Sequence, residues 1–443
     1  MRLLDTDTLE LCEFQPGSIP EYAILSHTWG DQEVLYDDAR HGRDHLLACG
    51  KTEGLDKLLK STAEAAKNGY QYLWNDTCCI DKSSSAELSE AINSMFVWYR
   101  DSEVCYAYLA DFDSTEGEPI ESRPIRWFTR GWTLQELIAP MKVYFYDKNW
   151  VRFGDKSSLA AQLVAVTGIN ELVFRWHFDP VYYIDCDGYH TYPNEDHSPG
   201  HSPESRCTFC RRDLNHVIQS FRTATRMSWA ASRETTRPED IAYSLLGIFG
   251  VNMPMLYGEG ERAFLRLQQA ILQTSTDQSI LAFNTFPLGN EYDAASAHGI
   301  LAKHPKQFLH YQQDRERYPC VYRYAGGKMV LSNAGLELTV YTVPAKLVSQ
   351  PSSSKPAKVI WLAVLKSPVH DGEAGALAIP IAPQNNTSDI RQFFRSMTRD
   401  YLWEVSPGSE TARSFSDRSV GQFFLSFSFF FFFMATISWG VFI

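Results

Sequence analysis

A chain of 443 residues, with 44% hydrophobic, 14% aromatic and 21% charged residues, can bury more than one core, which excludes wholesale disorder and implies two or more modules. Its 53 Asp and Glu against 41 Lys and Arg leave a formal net charge of -12, which repels a phosphate backbone, so nucleic acid is not an expected partner. The start Met1-Arg2-Leu3-Leu4-Asp5-Thr6-Asp7 places acids where a secretory signal needs an apolar stretch; the expected location is cytoplasmic and the nine cysteines are expected as reduced thiols.

From residue 20 to 147 short apolar runs alternate with helical patterns, the signature of an α/β fold. Tyr22 to Ser26 reads as a buried strand, followed by a helix with Leu55, Leu58, Leu59, Thr62 and Ala66 on one face and a stop at Gly69. Tyr70 to Trp74 is the second strand. Ser83 to Ser85 then start a helix whose stripe is Leu88, Ala91, Ile92, Met95, Phe96 and Tyr99. Cys105 to Leu109 is the third strand, a helix spans Gly131 to Ile138, and Lys142 to Tyr146 is the fourth strand. Right-handed crossovers make this an open, doubly wound, mostly parallel sheet of the flavodoxin type, with ligands expected beyond the carboxyl ends of its strands. That rule singles out the loops starting at His27-Thr28-Trp29-Gly30, Asp76 to Asp81, and Asp111-Phe112-Asp113.

The α/β domain is thus expected over 1–150 and a helical connection over 151–174; residues 175–215, rich in His, Cys, Pro, Tyr and Asp, read as an insertion or loop. Helical periodicity returns over 216–277, a β-rich region follows over 278–405, and 406–443 is a polar linker with a hydrophobic tail. No G-x-x-x-x-G-K-[ST] phosphate loop is present, so an NTPase-type receptor is expected to act in trans.

Three stretches, Tyr22-Ala23-Ile24-Leu25-Ser26-His27-Thr28-Trp29-Gly30, Tyr72 to Asp81 and Arg130 to Pro140, together resemble the fungal heterokaryon-incompatibility (HET) domain. The later Ser228-Trp229-Ala230, Thr236 to Phe249 and Met255 to Gly260 resemble the helical module that commonly follows it, so the resemblance covers roughly residues 1 to 345, interrupted by the insertion. It implies a role in self/non-self recognition between fused hyphae that ends in growth arrest or programmed cell death, with self-association as a partner mode. It also implies a remote kinship with Toll/interleukin-receptor (TIR) domains, some of which cleave NAD. NAD therefore enters as a candidate substrate, with no cofactor expected to be permanently bound.

Under that resemblance Trp132-Thr133-Leu134-Gln135-Glu136 has the W-x-x-x-E form found around the catalytic glutamate of NAD-cleaving TIR domains. Residues four apart share a helix face, so the indole can pack against the fold while the carboxylate is held in one direction. Glu136 is the expected catalytic residue, set against a structural glutamate paired with Arg130 or Arg126. His27, Trp29, Gly30, Asp76 and Trp132 are the expected ligand-binding residues: an imidazole can bond a ribose or phosphate, and an indole can stack on a flat base. The opposing reading for His27 and Trp29 is local core; Asp81 is expected to be a cap. Arg226, Arg233, Arg237, Glu239 and Asp240 read as ion pairs and caps that fix module packing, and Tyr257-Gly258-Glu259-Gly260 as a turn.

His177, Cys186, His190, His197, His201 and Cys207-x-x-Cys210 hold half of a zinc motif, but the spacings match no standard finger, and no metal site is expected. Residues 423–443, with five consecutive phenylalanines at Phe429 to Phe433, are long enough for a membrane tail anchor; a translated pyrimidine-rich intron tract is the competing origin.

Overall fold

The computed structural model describes residues 1–175, 221–283 and 301–313, the pieces 214–215 and 217–219, and strands between residues 329 and 439. The His/Cys cluster from His177 to Cys210 and the phenylalanine run lie outside the described residues. There are two compact units, one of Met1–Ile218 with Ser232–Ala263, the other of Gln219–Ala231 with Phe264–Ile443.

In the first unit β1 (Arg2–Asp5), β2 (Leu11–Glu13), β3 (Ala23–His27), β4 (Tyr72–Trp74), β5 (Val104–Tyr108), β6 (Val143–Tyr146) and β7 (Arg152–Asp155) form one sheet in the order β2-β1-β4-β3-β5-β6-β7. The centre, β4-β3-β5-β6, is parallel, with Ala23 opposite both Leu73 and Val104, and Cys105 opposite Val143. Helical crossovers cover both faces of such strands, which is why all five residues of β3 are buried and why the strands read as apolar runs. The four parallel strands stand in the flavodoxin-like order, and the order reverses between β3 and β5. The α/β class and the four expected parallel strands are therefore present.

The crossover from β3 to β4 carries α1 (Tyr36–Ala39), α2 (Arg43–Leu47) and α3 (Thr52–Lys67). That from β4 to β5 carries α4 (Asp76–Cys79) and α5 (Ser85–Asp101), and that from β5 to β6 carries α6 (Arg126–Thr129) and α7 (Thr133–Ile138). On α3 the buried line is Leu58, Ser61, Thr62 and Ala65, while Ala66, expected on that face, is exposed. The α5 stripe buries Ala91, Ile92, Met95, Phe96 and Tyr99 as its spacing predicts, and Ser84 accepts the Glu87 N–H as its cap. Asp81 supports the turn before that cap by accepting from Ser83 N–H at 2.9 Å.

Three flanking strands went unpredicted. β1 and β2 pair antiparallel beside β4, and β7 pairs antiparallel with β6 across a register shift at Phe145/Tyr146. β7 occupies part of the expected helical connection, with α8 (Ala160–Thr167) and α9 (Leu172–Arg175) after it.

The segment Ser232–Ala263 joins this unit by backbone bonds to the turn before α7: Gly131 N–H donates to Glu234 O at 2.9 Å, and Glu234 N–H to Thr129 O at 2.7 Å. Its short helix Leu246–Phe249 presses Gly247 onto α5, where an added Cβ would stand 2.1 Å from Phe96 Cβ. Phe96 is buried mid-helix, so neither side can yield freely. Gly247→Ala is expected to lower stability by about 1–3 kcal/mol, read as an earlier denaturant midpoint with an unchanged slope.

The second unit has a buried helix at Thr223–Ser228, with Thr223 N–H donating to Asp277 and Ala224 N–H to Ser279. Burial lowers the Arg226 guanidinium to about 10, against the pull of Asp277. Its antiparallel sheet runs β12 (Phe393–Arg395), β11 (Ala378–Pro383), β10 (Val359–Val364), β9 (Gly335–Leu347), β13 (Trp403–Val405), and β8 (Met329–Ser332) and β14 (Met434–Trp439) also pair with β9. Met434–Trp439 of the expected tail anchor is thus strand. Among the described residues no helix is long and apolar enough to cross a membrane.

Candidate functional site

The carboxyl end of β3 carries two polar side chains in succession, Ser26 and His27, which alternation sends to different sides of the strand. His27 has only 1% of its side chain exposed, and its Nε2 lies 3.2 Å from Asp76 Oδ1, at the start of α4. Asn75 caps α4 by accepting the Thr77 N–H, which leaves the Asp76 carboxylate free to face β3. Trp29 Nε1 donates to Asp76 Oδ2 at 3.0 Å, and Lys82 Nζ stands 3.7 Å from the same oxygen. Burial opposes ionisation of Asp76, but the Lys82 charge and the contacts from His27 and Trp29 outweigh it and hold the carboxyl at about 2. Behind His27, Glu33 accepts from Gly30 N–H at 2.7 Å and is paired with the buried Lys57. Burial lowers the Lys57 ammonium, with Glu33 pulling the other way.

Ser26 faces a separate group of buried polar side chains in the core. It accepts from Trp127 Nε1 at 2.9 Å and donates to Glu136 Oε2 at 2.5 Å. Tyr99, whose hydroxyl donates to Leu25 O at 3.0 Å, also approaches this carboxyl. Glu136 is only 7% exposed. Burial drives its carboxyl up to about 8, with Asp76 adding to the rise, while Ser26, Tyr99 and Arg233 pull it down. Arg233 is itself buried; its Nη1 donates to Arg130 O at 2.7 Å and Thr133 Oγ1 at 2.9 Å, and burial lowers it to about 9. At the far end of α7, Lys156 Nζ donates to Ile138 O at 2.9 Å and Pro140 O at 3.0 Å, satisfying carbonyls the short helix leaves open.

Of the expected site residues, the structure gathers His27, Trp29, Gly30 and Asp76 into one cluster, and puts Glu136 on Ser26, the residue before His27. Trp132 is half-buried and hydrogen-bonded with Asp240, so its indole packs against the fold as the helix-face argument allows. Glu136 makes no ion pair with Arg130 or Arg126; the positive charge that acts on it is that of Arg233. The residues read as ion pairs and caps stand apart: Arg226 lies in the other unit, Arg237 sits over Tyr257, and Glu239 accepts the Gly258 and Gly260 N–H groups of the expected turn. Sequence reasoning missed Lys82, Glu33, Lys57, Ser26 and Tyr99. Only Ser26 and Lys82 had a signal, each lying next to a residue already singled out. Among the described residues no group of three or more His, Cys, Asp or Glu side chains could hold a metal ion.

Residues 22–126, which carry β3 to β5 and the polar cluster beyond β3 and β4, match the family Heterokaryon incompatibility protein (HET). The chain is 41% identical over 287 residues to the vegetative incompatibility protein HET-E-1 of Podospora anserina, a match that covers 61% of this chain. It spans only 18% of the length of that relative. No solved structure matches the chain. The family match includes the His27 to Asp76 cluster and ends before Glu136.

Proposed function

We propose that this chain is an effector of fungal self/non-self recognition that triggers cell death by cleaving NAD at Glu136. The observation that supports this most is a buried carboxyl, bonded by Ser26, whose proton affinity sits near neutral pH at the carboxyl end of the first parallel strand. In the reaction the bond between ribose C1′ and the nicotinamide nitrogen breaks, and its electron pair neutralises the pyridinium. Water then adds to C1′ and releases a proton, giving nicotinamide and ADP-ribose. Because nicotinamide leaves as a neutral molecule, the step needs an anion beside the developing oxocarbenium ion and no general acid. Glu136 supplies that anion once ionised, and the positive charge of the substrate's pyridinium favours the ionised form. Self-association, or an NTPase-type receptor acting in trans, would bring the domain to its active state in the cytoplasm.

A second reading is a non-enzymatic adaptor that signals by assembly of like domains, and the burial of Glu136 favours it. Purified full chain incubated with NAD separates the two. Nicotinamide release that is lost in Glu136→Gln supports the enzyme, and inactivity of the wild type even when artificially clustered supports the adaptor.

A further inference from the structure

Trp29 is 41% exposed, and the bond from its Nε1 to Asp76 fixes the plane of the ring. The face of that ring is covered by the protein itself: Lys82 Nζ sits 3.5 Å from the ring centroid. This ammonium is buried and donates no hydrogen bond, since Asp76 Oδ2 at 3.7 Å is too distant for one. An ammonium has three N–H donors, so Lys82 is a desolvated cation held by a ring face and one long ion pair. Beside it, buried His27 Nδ1 also has no hydrogen-bond partner; its neighbour Glu33 Oε1 is 3.8 Å away. An aromatic face and unused N–H donors, brought together beyond a strand end, call for a ligand that is flat at one point and anionic at another.

We propose that Lys82 is both the gate and the phosphate ligand of a nucleotide site on Trp29. In the structure it covers the indole face, and on binding it yields that face to the base and takes the phosphate oxygens. The exchange replaces one cation–π contact by base stacking and gives the ammonium the charge-assisted hydrogen bonds it lacks. Recognition then requires base and phosphate together: a nucleoside has nothing to draw the ammonium from the ring, and a free phosphate cannot stack. This inference rests on the nucleotide substrate proposed above and names where its base and phosphate would be held, on the His27 side of the strand end, with Glu136 on the Ser26 side.

The test is calorimetric titration of the full chain with ADP-ribose and with adenosine, which does not depend on turnover. The wild type is expected to bind ADP-ribose at least tenfold more tightly than adenosine. Lys82→Met, which keeps the stem and removes the charge, is expected to lose at least tenfold in ADP-ribose affinity while binding adenosine no less well. Lys82→Arg is expected to retain ADP-ribose binding, which guards against a fold defect in the methionine variant, and Trp29→Leu to lose both ligands. Unchanged ADP-ribose affinity in Lys82→Met, or no ADP-ribose binding by the wild type, overturns the gate. Nicotinamide release measured in parallel keeps the two ideas apart. Turnover with an indifferent Lys82 removes the gate alone, and charge-dependent ADP-ribose binding without turnover supports the gate and removes NAD cleavage.

Discussion

Between pH 5 and pH 8 the wild type is expected to lose stability while Glu136→Gln does not. Burial holds the Glu136 carboxyl at about 8 in the folded state, against 4.5 for an ordinary glutamate. Below 4.5 both folded and unfolded chains carry this proton, and the full stability is present. Above that value the unfolded chain releases the proton and the folded one keeps it, so folding becomes less favourable by about 1.4 kcal/mol per pH unit. The loss is complete once pH passes the folded-state value. Glutamine has the same shape, can still accept from Ser26 and does not titrate. The variant is expected to exceed the wild type at pH 8 by on the order of 4 kcal/mol and nearly to match it at pH 5. Denaturant midpoints measured at half-unit intervals check this. Parallel pH curves for the two proteins would mean that the carboxyl titrates as an exposed one does.

The second large effect is expected at Arg233. Its guanidinium ties the turn before α7 to the segment Ser232–Ala263 through Arg130 O and Thr133 Oγ1, and is the positive charge facing Glu136. Arg233→Met removes those bonds and leaves two buried acceptors without their donor, at an expected cost of about 2–5 kcal/mol. Arg233→Lys rescues little of it, because a single ammonium cannot span the same acceptors in fixed geometry. The loss of positive charge also raises the pH at which Glu136 ionises, so the alkaline rise in NAD cleavage shifts upward in any folded variant. A merely structural arginine would cost stability and leave that pH dependence in place.

The parallel centre of the sheet was legible because each strand is buried on both faces, so Ala23 to Leu25 and Cys105 to Ala107 stand out as apolar runs between helical patterns. β2 and β7 were not, because these short flanking strands are largely half-exposed and carry neither a run nor a clear alternation, and the buried β1 offers only Leu3-Leu4, too short an apolar run to read as a strand. The cluster around His27 and Asp76 followed from the rule that ligands bind beyond strand ends. The partners of α7 did not. Trp132 meets Asp240, and the charge acting on Glu136 comes from Arg233 about a hundred residues downstream, across an insertion that breaks the pattern. Spacing within one helix specifies a face, and only the fold decides what that face meets.

The central claim, that Glu136 is the working anion of an NAD-cleaving effector, is tested most directly by nicotinamide release from pH 6 to 9 with full chain at limiting NAD. The expected result is a kcat/KM that rises nearly tenfold per unit and levels off above about 8, the value held by the free protein's carboxyl, with no release by Glu136→Gln at any pH. Release by the glutamine variant at the wild-type rate, or none by the clustered wild type across the whole range, would contradict it.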